Sequence, residues 1–151
     1  MKRLFFILLT ITLSVIFYSC NDEDSNKDIY LKNTTLSSCE NVDKSTYRMS
    51  ESEYFKFSAI NNNTLKVEHK FFMNCCTEDI GLKIDSKENN ITINLTDADG
   101  DCNCVCPKVA SCEIVNLQVN NKYKFIFFRN AQEYYTIELF FTFPMEQEIP
   151  L

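Results

Sequence analysis

Apolar and polar residues alternate at every second position along much of the chain after residue 29, and this pattern constrains the fold more than any other. The apolar residues recur in the runs Phe55–Ala59, Leu65–Met73, Leu82–Ile84, Ile91–Leu95, Val115–Val119, Tyr123–Phe127 and Tyr135–Phe143. Successive side chains of an extended strand point to opposite faces, so a period of two predicts half-buried β-strands. Asn-rich turns such as Asn61-Asn62-Asn63 separate several runs, because Asn tolerates turn geometry.

The spacing of these runs specifies the architecture further. Seven or eight short strands about 8 to 12 residues apart are typical of an antiparallel β-sandwich. We therefore predict an all-β, immunoglobulin-like sandwich over residues 30–151, with cysteines gathered at one edge of a sheet. The pattern is poor between Ser37 and Ser50, where a small amphipathic helix is the alternative.

The first 19 residues have the layout of an export signal. Two basic residues precede the apolar run Leu4–Phe17, which is shorter than the about 20 apolar residues of a membrane-spanning helix. Ser19-Cys20 follows and resembles the end of a bacterial lipoprotein signal. We expect residues 1–19 to be removed and Cys20 to carry the acyl chains. The alternative is an ordinary signal peptide cleaved near Ser19, with Cys20 in a disulfide.

Residues 20–29 are predicted to connect the lipidated Cys20 to the folded domain. The stretch Asn21–Asp28 is acidic and has no apolar residue, so it cannot be buried in a core and is expected to be a flexible tether. An acidic run directly after the lipidated cysteine also resembles the export signal of Bacteroidetes surface lipoproteins, whereas a solvated linker is the simpler interpretation. These features predict an outer-membrane protein of the cell envelope that faces the surface and touches the membrane through its lipid.

Charge and composition argue against several function classes. With 15 Lys and Arg against 21 Asp and Glu, the net charge is −6, which disfavours nucleic acid as a partner because phosphate contacts need clustered basic residues. His69 is the only histidine, Gly81 and Gly100 are the only glycines, and no Gly-x-Ser-x-Gly elbow occurs. Histidine-dependent nucleophilic catalysis and phosphate-binding loops are therefore disfavoured. We expect a protein that is not an enzyme and needs no cofactor.

A noncatalytic binding or structural module is the function that remains. Four aromatic residues fall on positions that the alternation directs outward, namely Phe72, Phe128, Tyr134 and Phe140. Either loops and the second sheet cover them, or they form an exposed patch for a protein or glycan ligand.

The cysteines are the residues whose chemistry is most informative in this sequence. Besides Cys20 there are seven, at Cys39, Cys75, Cys76, Cys102, Cys104, Cys106 and Cys112. In an exported protein they are expected to form disulfides. A bridge within Cys-x-Cys is disfavoured because the two Cβ vectors on one strand are parallel, and adjacent Cys75 and Cys76 should have different partners. Seven cysteines cannot all pair internally, and the sequence leaves the connectivity open.

A soft-metal site is the alternative function. Thiolates favour Zn²⁺ and Cu(I), and the candidate ligands are Cys75, Cys76, Cys102, Cys104, Cys106 and Cys112. The spacing departs from the Cys-x₂₋₄-Cys knuckles of structural zinc sites. His69 precedes Cys75 by six residues, about 20 Å of extended chain, and is not expected to share an ion with it. Free or regulatory thiols are a third interpretation.

A resemblance supports the predicted fold and location. The motifs that carry it are Asn74-Cys75-Cys76, Ile91-Thr92-Ile93, Cys102-Asn103-Cys104-Val105-Cys106 and Ile114–Leu117. Together they resemble a family of small Bacteroidetes lipoproteins with Asn-Cys-Cys and Cys-x-Cys-x-Cys motifs, over about the middle half of the chain. The resemblance implies a β-sandwich lipoprotein and implies no particular activity.

Overall fold

A computed structural model describes residues 28–39, 52–77, 80–97 and 103–151. The strands in these ranges are β1 Tyr30–Leu36, β2 Tyr54–Asn61, β3 Thr64–Asn74, β4 Ile80–Lys87, β5 Asn90–Asp97, β6 Val105–Val115, β7 Asn121–Arg129, β8 Gln132–Phe141 and β9 Glu146–Pro150. Within them, no helix is long and apolar enough to span a membrane. The predicted signal, Cys20, most of the tether, the segment 40–51 and Cys102 lie outside the described residues.

The strands form two sheets, which confirms the predicted all-β sandwich. One sheet has the order β1-β6-β3-β2-β9 and the other the order β4-β5-β7-β8. All neighbours are antiparallel except β5 and β7, which pair in parallel. The parallel pair arises because the chain leaves the second sheet after β5, forms β6 in the first sheet, and returns as β7 in the same direction. The described residues contain nine strands, more than the seven or eight predicted.

The core lies between the sheets and follows the period of two. On β3 the residues Leu65, Val67, His69, Phe71 and Met73 are all buried, while their neighbours Lys66, Glu68 and Lys70 are partly exposed. Aromatic residues from both sheets meet there, and the fully buried ones are Phe55, Phe57, Phe71, Phe125 and Phe141. Burying a side chain of this size stabilises the fold by about 1.5 to 3 kcal/mol.

The strand that carries the cysteines is displaced from its predicted position. A strand was expected over Val115–Val119, but β6 ends at Val115. Asn116 then adopts a φ of 71°, which turns the chain out of the sheet. Pro107 lies inside β6, beyond the point where Leu36 of β1 pairs with Ala110. Because β6 has only β3 as a strand neighbour at that position, the missing amide of the proline is tolerated.

The four aromatic residues predicted to face outward divide into three groups. Phe140 is 58% exposed, whereas Phe72 and Phe128 are half-buried. Tyr134 is exposed at 36%, as predicted, and its ring also lies 5.4 Å from the ring of His69. The pairing of β7 with β8 shifts register between Phe127 and Phe128, and such a bulge changes the face to which the next side chain points.

Candidate functional site

Two disulfides fasten one end of the five-stranded sheet. Cys39 is bonded to Cys106, with their Cα atoms 5.8 Å apart, and Cys75 is bonded to Cys104, with their Cα atoms 5.6 Å apart. We call these two bonds the disulfide pair. They confirm that the cysteines form bridges, and neither bridge lies within a Cys-x-Cys unit.

The strand register places the disulfide pair. The ladder between β3 and β6 ends with Asn74 opposite Val105, and the Cys75 amide then donates to the Cys104 carbonyl at 3.1 Å. Cys75 and Cys104 are therefore directly opposite each other. Cys39 follows β1 on the other side of β6, from which it reaches Cys106.

Cys76 and Cys112 differ from the cysteines of the disulfide pair. Cys76 is exposed and is also disulfide-bonded, and no other cysteine in the described ranges is its partner. Cys112 is a buried free thiol, and its burial, with a smaller contribution from Glu113, raises its pKa to about 12. It lies six residues along β6 from Cys106, a distance of about 20 Å. Cys112 therefore takes no part in the cysteine site at the sheet end.

The sulfur atoms of the disulfide pair lie close together. The Sγ atoms of Cys39, Cys75 and Cys106 are all within 4.8 Å of one another. Because a Zn–S bond is about 2.3 Å long, two sulfurs on one ion lie at most about 4.6 Å apart. The three sulfurs, which are held in disulfides here, lie near that spacing. This set differs from the sequence prediction, since it includes Cys39 and leaves out Cys76, Cys104 and Cys112, while Cys102 lies outside the described residues.

A buried lysine lies beside the disulfide pair. Lys108 follows Cys106 by two residues on β6, points inward and is 4% exposed. Its Nζ donates to the carbonyl of Thr77, which ties the segment after β3 to β6. Sequence reasoning missed this residue because no run of alternating residues is recognised between Leu95 and Val115. The signal that identifies it is its strand parity with Cys106 and Ala110.

A small cavity between the sheets contains the histidine. It has a volume of about 30 Å³ and is lined by apolar residues together with His69, Cys112, Arg129 and Tyr134, which is enough space for about one water molecule. The His69 ring stacks on Phe55 with a centroid distance of 4.1 Å. Its Nε2 has no hydrogen-bond partner among the described residues. Burial, assisted by the Arg129 charge, lowers the pKa of His69 to about 3.

Charged and polar side chains close one end of this cavity. Arg129 donates to Asp97 at 2.9 Å and to the Phe72 carbonyl at 3.3 Å. Burial raises the pKa of Asp97, but hydrogen bonds from Arg129 and Asn130 outweigh it, so the pKa is lowered on balance.

Tyr134 completes this end of the cavity. Its hydroxyl donates to Glu53, and burial together with this bond raises the pKa of the tyrosine.

General acid–base catalysis needs a group with a pKa near the working pH. Neither His69, at about 3, nor Cys112, at about 12, is set for proton transfer near neutral pH.

Comparison with protein families, curated proteins and solved structures finds no match to this chain. Its function is therefore interpreted from the two sites themselves. The disulfide pair joins three parts of the chain covalently, and the cavity holds a neutral histidine and a protonated thiol. The disulfide pair is a cross-link whose sulfurs are candidate metal ligands after reduction. The cavity is part of the core.

Proposed function

We propose that this chain is a lipid-anchored cell-envelope protein, attached to the outer membrane and facing the surface, whose sandwich serves as a noncatalytic binding or structural module. The observation that carries the proposal is the disulfide pair, because stable disulfides belong to oxidising compartments outside the cytosol. The export signal over residues 1–19 and Cys20 supply the route and the anchor. The tether over residues 20–29 holds the domain away from the membrane.

The binding role rests on the surface of the second sheet. Phe140 is a large apolar side chain that is 58% exposed on a strand at the sheet edge. Contiguous exposed apolar surface marks sites that bind other molecules, and aromatic residues contribute strongly to binding at such sites. We propose a protein or a glycan as the ligand.

Replacing Cys20 by Ser is expected to move the protein from the detergent phase to the aqueous phase. Two or more acyl chains anchor a protein stably, and no helix in the described ranges is long and apolar enough to span a membrane. Phase partitioning of cell extracts measures the change, and Cys112→Ala, which leaves the anchor intact, is the matched control. A Cys20→Ser protein that stays in the detergent phase contradicts the lipid anchor.

A second candidate function follows from the distances between the sulfurs. We propose that reduced Cys39, Cys75 and Cys106, with Cys104 as fourth ligand, bind one soft metal ion such as Zn²⁺ or Cu(I). A dithiol reductant opens each bridge by giving up two electrons and two protons, becomes a disulfide itself and leaves two cysteine thiols. Binding of the ion then releases thiol protons to solvent.

Zinc titration of the reduced protein tests this candidate. After reduction and removal of the reductant under anaerobic conditions, we expect one Zn²⁺ per chain by mass spectrometry of the native protein. Cys39→Ser is expected to weaken binding strongly, while Cys112→Ala and Cys76→Ser keep it. Absence of binding, or equal binding by Cys39→Ser, contradicts the candidate.

A further inference from the structure

Strand β8 is an edge strand of the four-stranded sheet and differs from the other edges of the sandwich. The sheet orders place β4 and β8 at the edges of one sheet and β1 and β9 at the edges of the other. In the described part of the chain, β8 pairs with β7 alone. An edge of this kind presents unpaired N–H and C=O groups to which another strand can bind.

The other three edges carry features that oppose strand pairing. On β4 the exposed residues include Lys83 and Lys87. Strand β9 has only five residues and ends at Pro150. Strand β1 loses its regular register between Lys32 and Thr35. Charged side chains, proline, short length and irregular register are the usual means by which natural sheets block their edges.

Strand β8 lacks these features over most of its length. From Tyr135 to Phe141 it pairs with β7 in unbroken register, and this segment contains no Lys, Pro or Gly. Its only charged residue is Glu138, which forms a salt bridge with Lys122 on β7. Phe140 adds an exposed apolar surface on the outward face. The segment is therefore long, regular and suited to pairing.

We propose that β8 binds β8 of a second copy of this chain in an antiparallel pair, which joins the two four-stranded sheets into one of eight strands. The occupant is a second copy because the segment complements itself. When the two-fold axis passes through Ile137, residues on the outward face of one β8 strand lie opposite residues on the outward face of the other. Thr136 then lies opposite Glu138 of the second copy, and Tyr135 lies opposite Leu139 of the second copy on the inner face.

Charge selects this register over its neighbours. A two-fold axis at Glu138 places two carboxylates directly opposite each other, which is destabilising. An axis at Leu139 places Glu138 opposite the apolar ring of Phe140. With the axis at Ile137, each Glu138 faces a threonine hydroxyl instead. The pairing is isologous and closed, so it ends at a dimer.

Two substitutions of Thr136 test the dimer and its register. Thr136→Glu places two pairs of like charges across the interface, whereas Thr136→Lys places each lysine opposite a glutamate. We expect Thr136→Glu to raise the dimer dissociation constant about tenfold or more, and Thr136→Lys to leave it equal or lower it. Raising the salt concentration should reduce the difference between the variants.

The two variants share one effect on the monomer, and their opposite charges beside Glu133 are checked by measuring the stability of each monomer. Thr136 is exposed, and both substitutions remove the same hydrogen bond, in which its hydroxyl donates to Glu133 at 3.0 Å. Sedimentation equilibrium is measured on the full protein with Cys20→Ser in every version, so that no acyl chain drives association. Equal melting temperatures at high dilution verify that both variants fold. A wild-type protein that stays monomeric, or equal association of the two variants, overturns the proposal.

Discussion

Reduction of the disulfide pair is expected to lower the melting temperature of the domain more than any other single treatment. The bridges span 29 residues between Cys75 and Cys104 and 67 residues between Cys39 and Cys106. Loop closure in the unfolded chain makes them worth about 3.5 and about 4.5 kcal/mol. A domain of this size has a total stability of about 5 to 15 kcal/mol. Loss of both bridges therefore removes a large part of the free energy of unfolding.

Circular dichroism melts with and without a phosphine reductant measure this effect together with that of the Cys76 disulfide, which the reductant also opens. Cys39→Ser and Cys104→Ser are each expected to destabilise the oxidised protein, and Cys112→Ala should leave the response to reductant unchanged. A chelator should not alter the oxidised protein. Addition of Zn²⁺ to the reduced protein should restore stability only if the metal candidate is correct. An unchanged melt with fully titratable thiols would falsify the stabilising role of the bridges.

Lowering the pH to about 4.5 is expected to destabilise the protein through His69. The unfolded imidazole takes up a proton near its usual pKa of 6.5, while the native one does so only at about 3. Between these values the unfolded state binds more protons, so the free energy of unfolding falls as the pH falls. From about pH 7.5 to about pH 4.5 the loss amounts to about 3 kcal/mol.

The matched variant for this prediction is His69→Phe, which keeps a flat ring beside Phe55 and cannot titrate. Urea unfolding at both pH values gives the loss for each protein, and the difference between the losses isolates His69. The lowered pKa of Asp97 affects stability mainly as the pH falls through its ordinary value of 3.8, and its small effect above that pH is common to both proteins. Equal losses in the two proteins would show that His69 is not the source.

The sequence predicted those strands whose two faces differ in environment. The alternation over Leu65–Met73 identified β3 because one face lies in the core and the other meets solvent. Strands β1 and β9 were missed, since they lie at sheet edges, expose most of their residues and show no alternation. Strand β6 was misplaced because Lys108 stands at an inward position. A charged residue there breaks the apolar pattern on which the prediction depends.

The cysteine chemistry was predictable in kind but not in detail. The export signal and the number of cysteines predicted disulfides, and strand geometry disfavoured bridges within Cys-x-Cys. The pairing of Cys39 with Cys106 depends on the register of β1 with β6, which the sequence does not encode locally. The contact of the exposed Tyr134 with His69 was not predicted for a related reason, because a shift of one residue in the pairing of β7 with β8 alters where its ring lies.

The bond between Cys39 and Cys106 also determines how the domain responds to mechanical force. A pull applied at the N-terminal side of Tyr30 acts first on β1, which is held to β6 by hydrogen bonds. Such a pull can peel β1 away, but the peeling stops at Cys39, where the chain is covalently joined to β6. Strand β6 lies between β1 and β3. Force beyond that point is therefore passed into the interior of the sheet through a covalent bond and the long β3–β6 ladder.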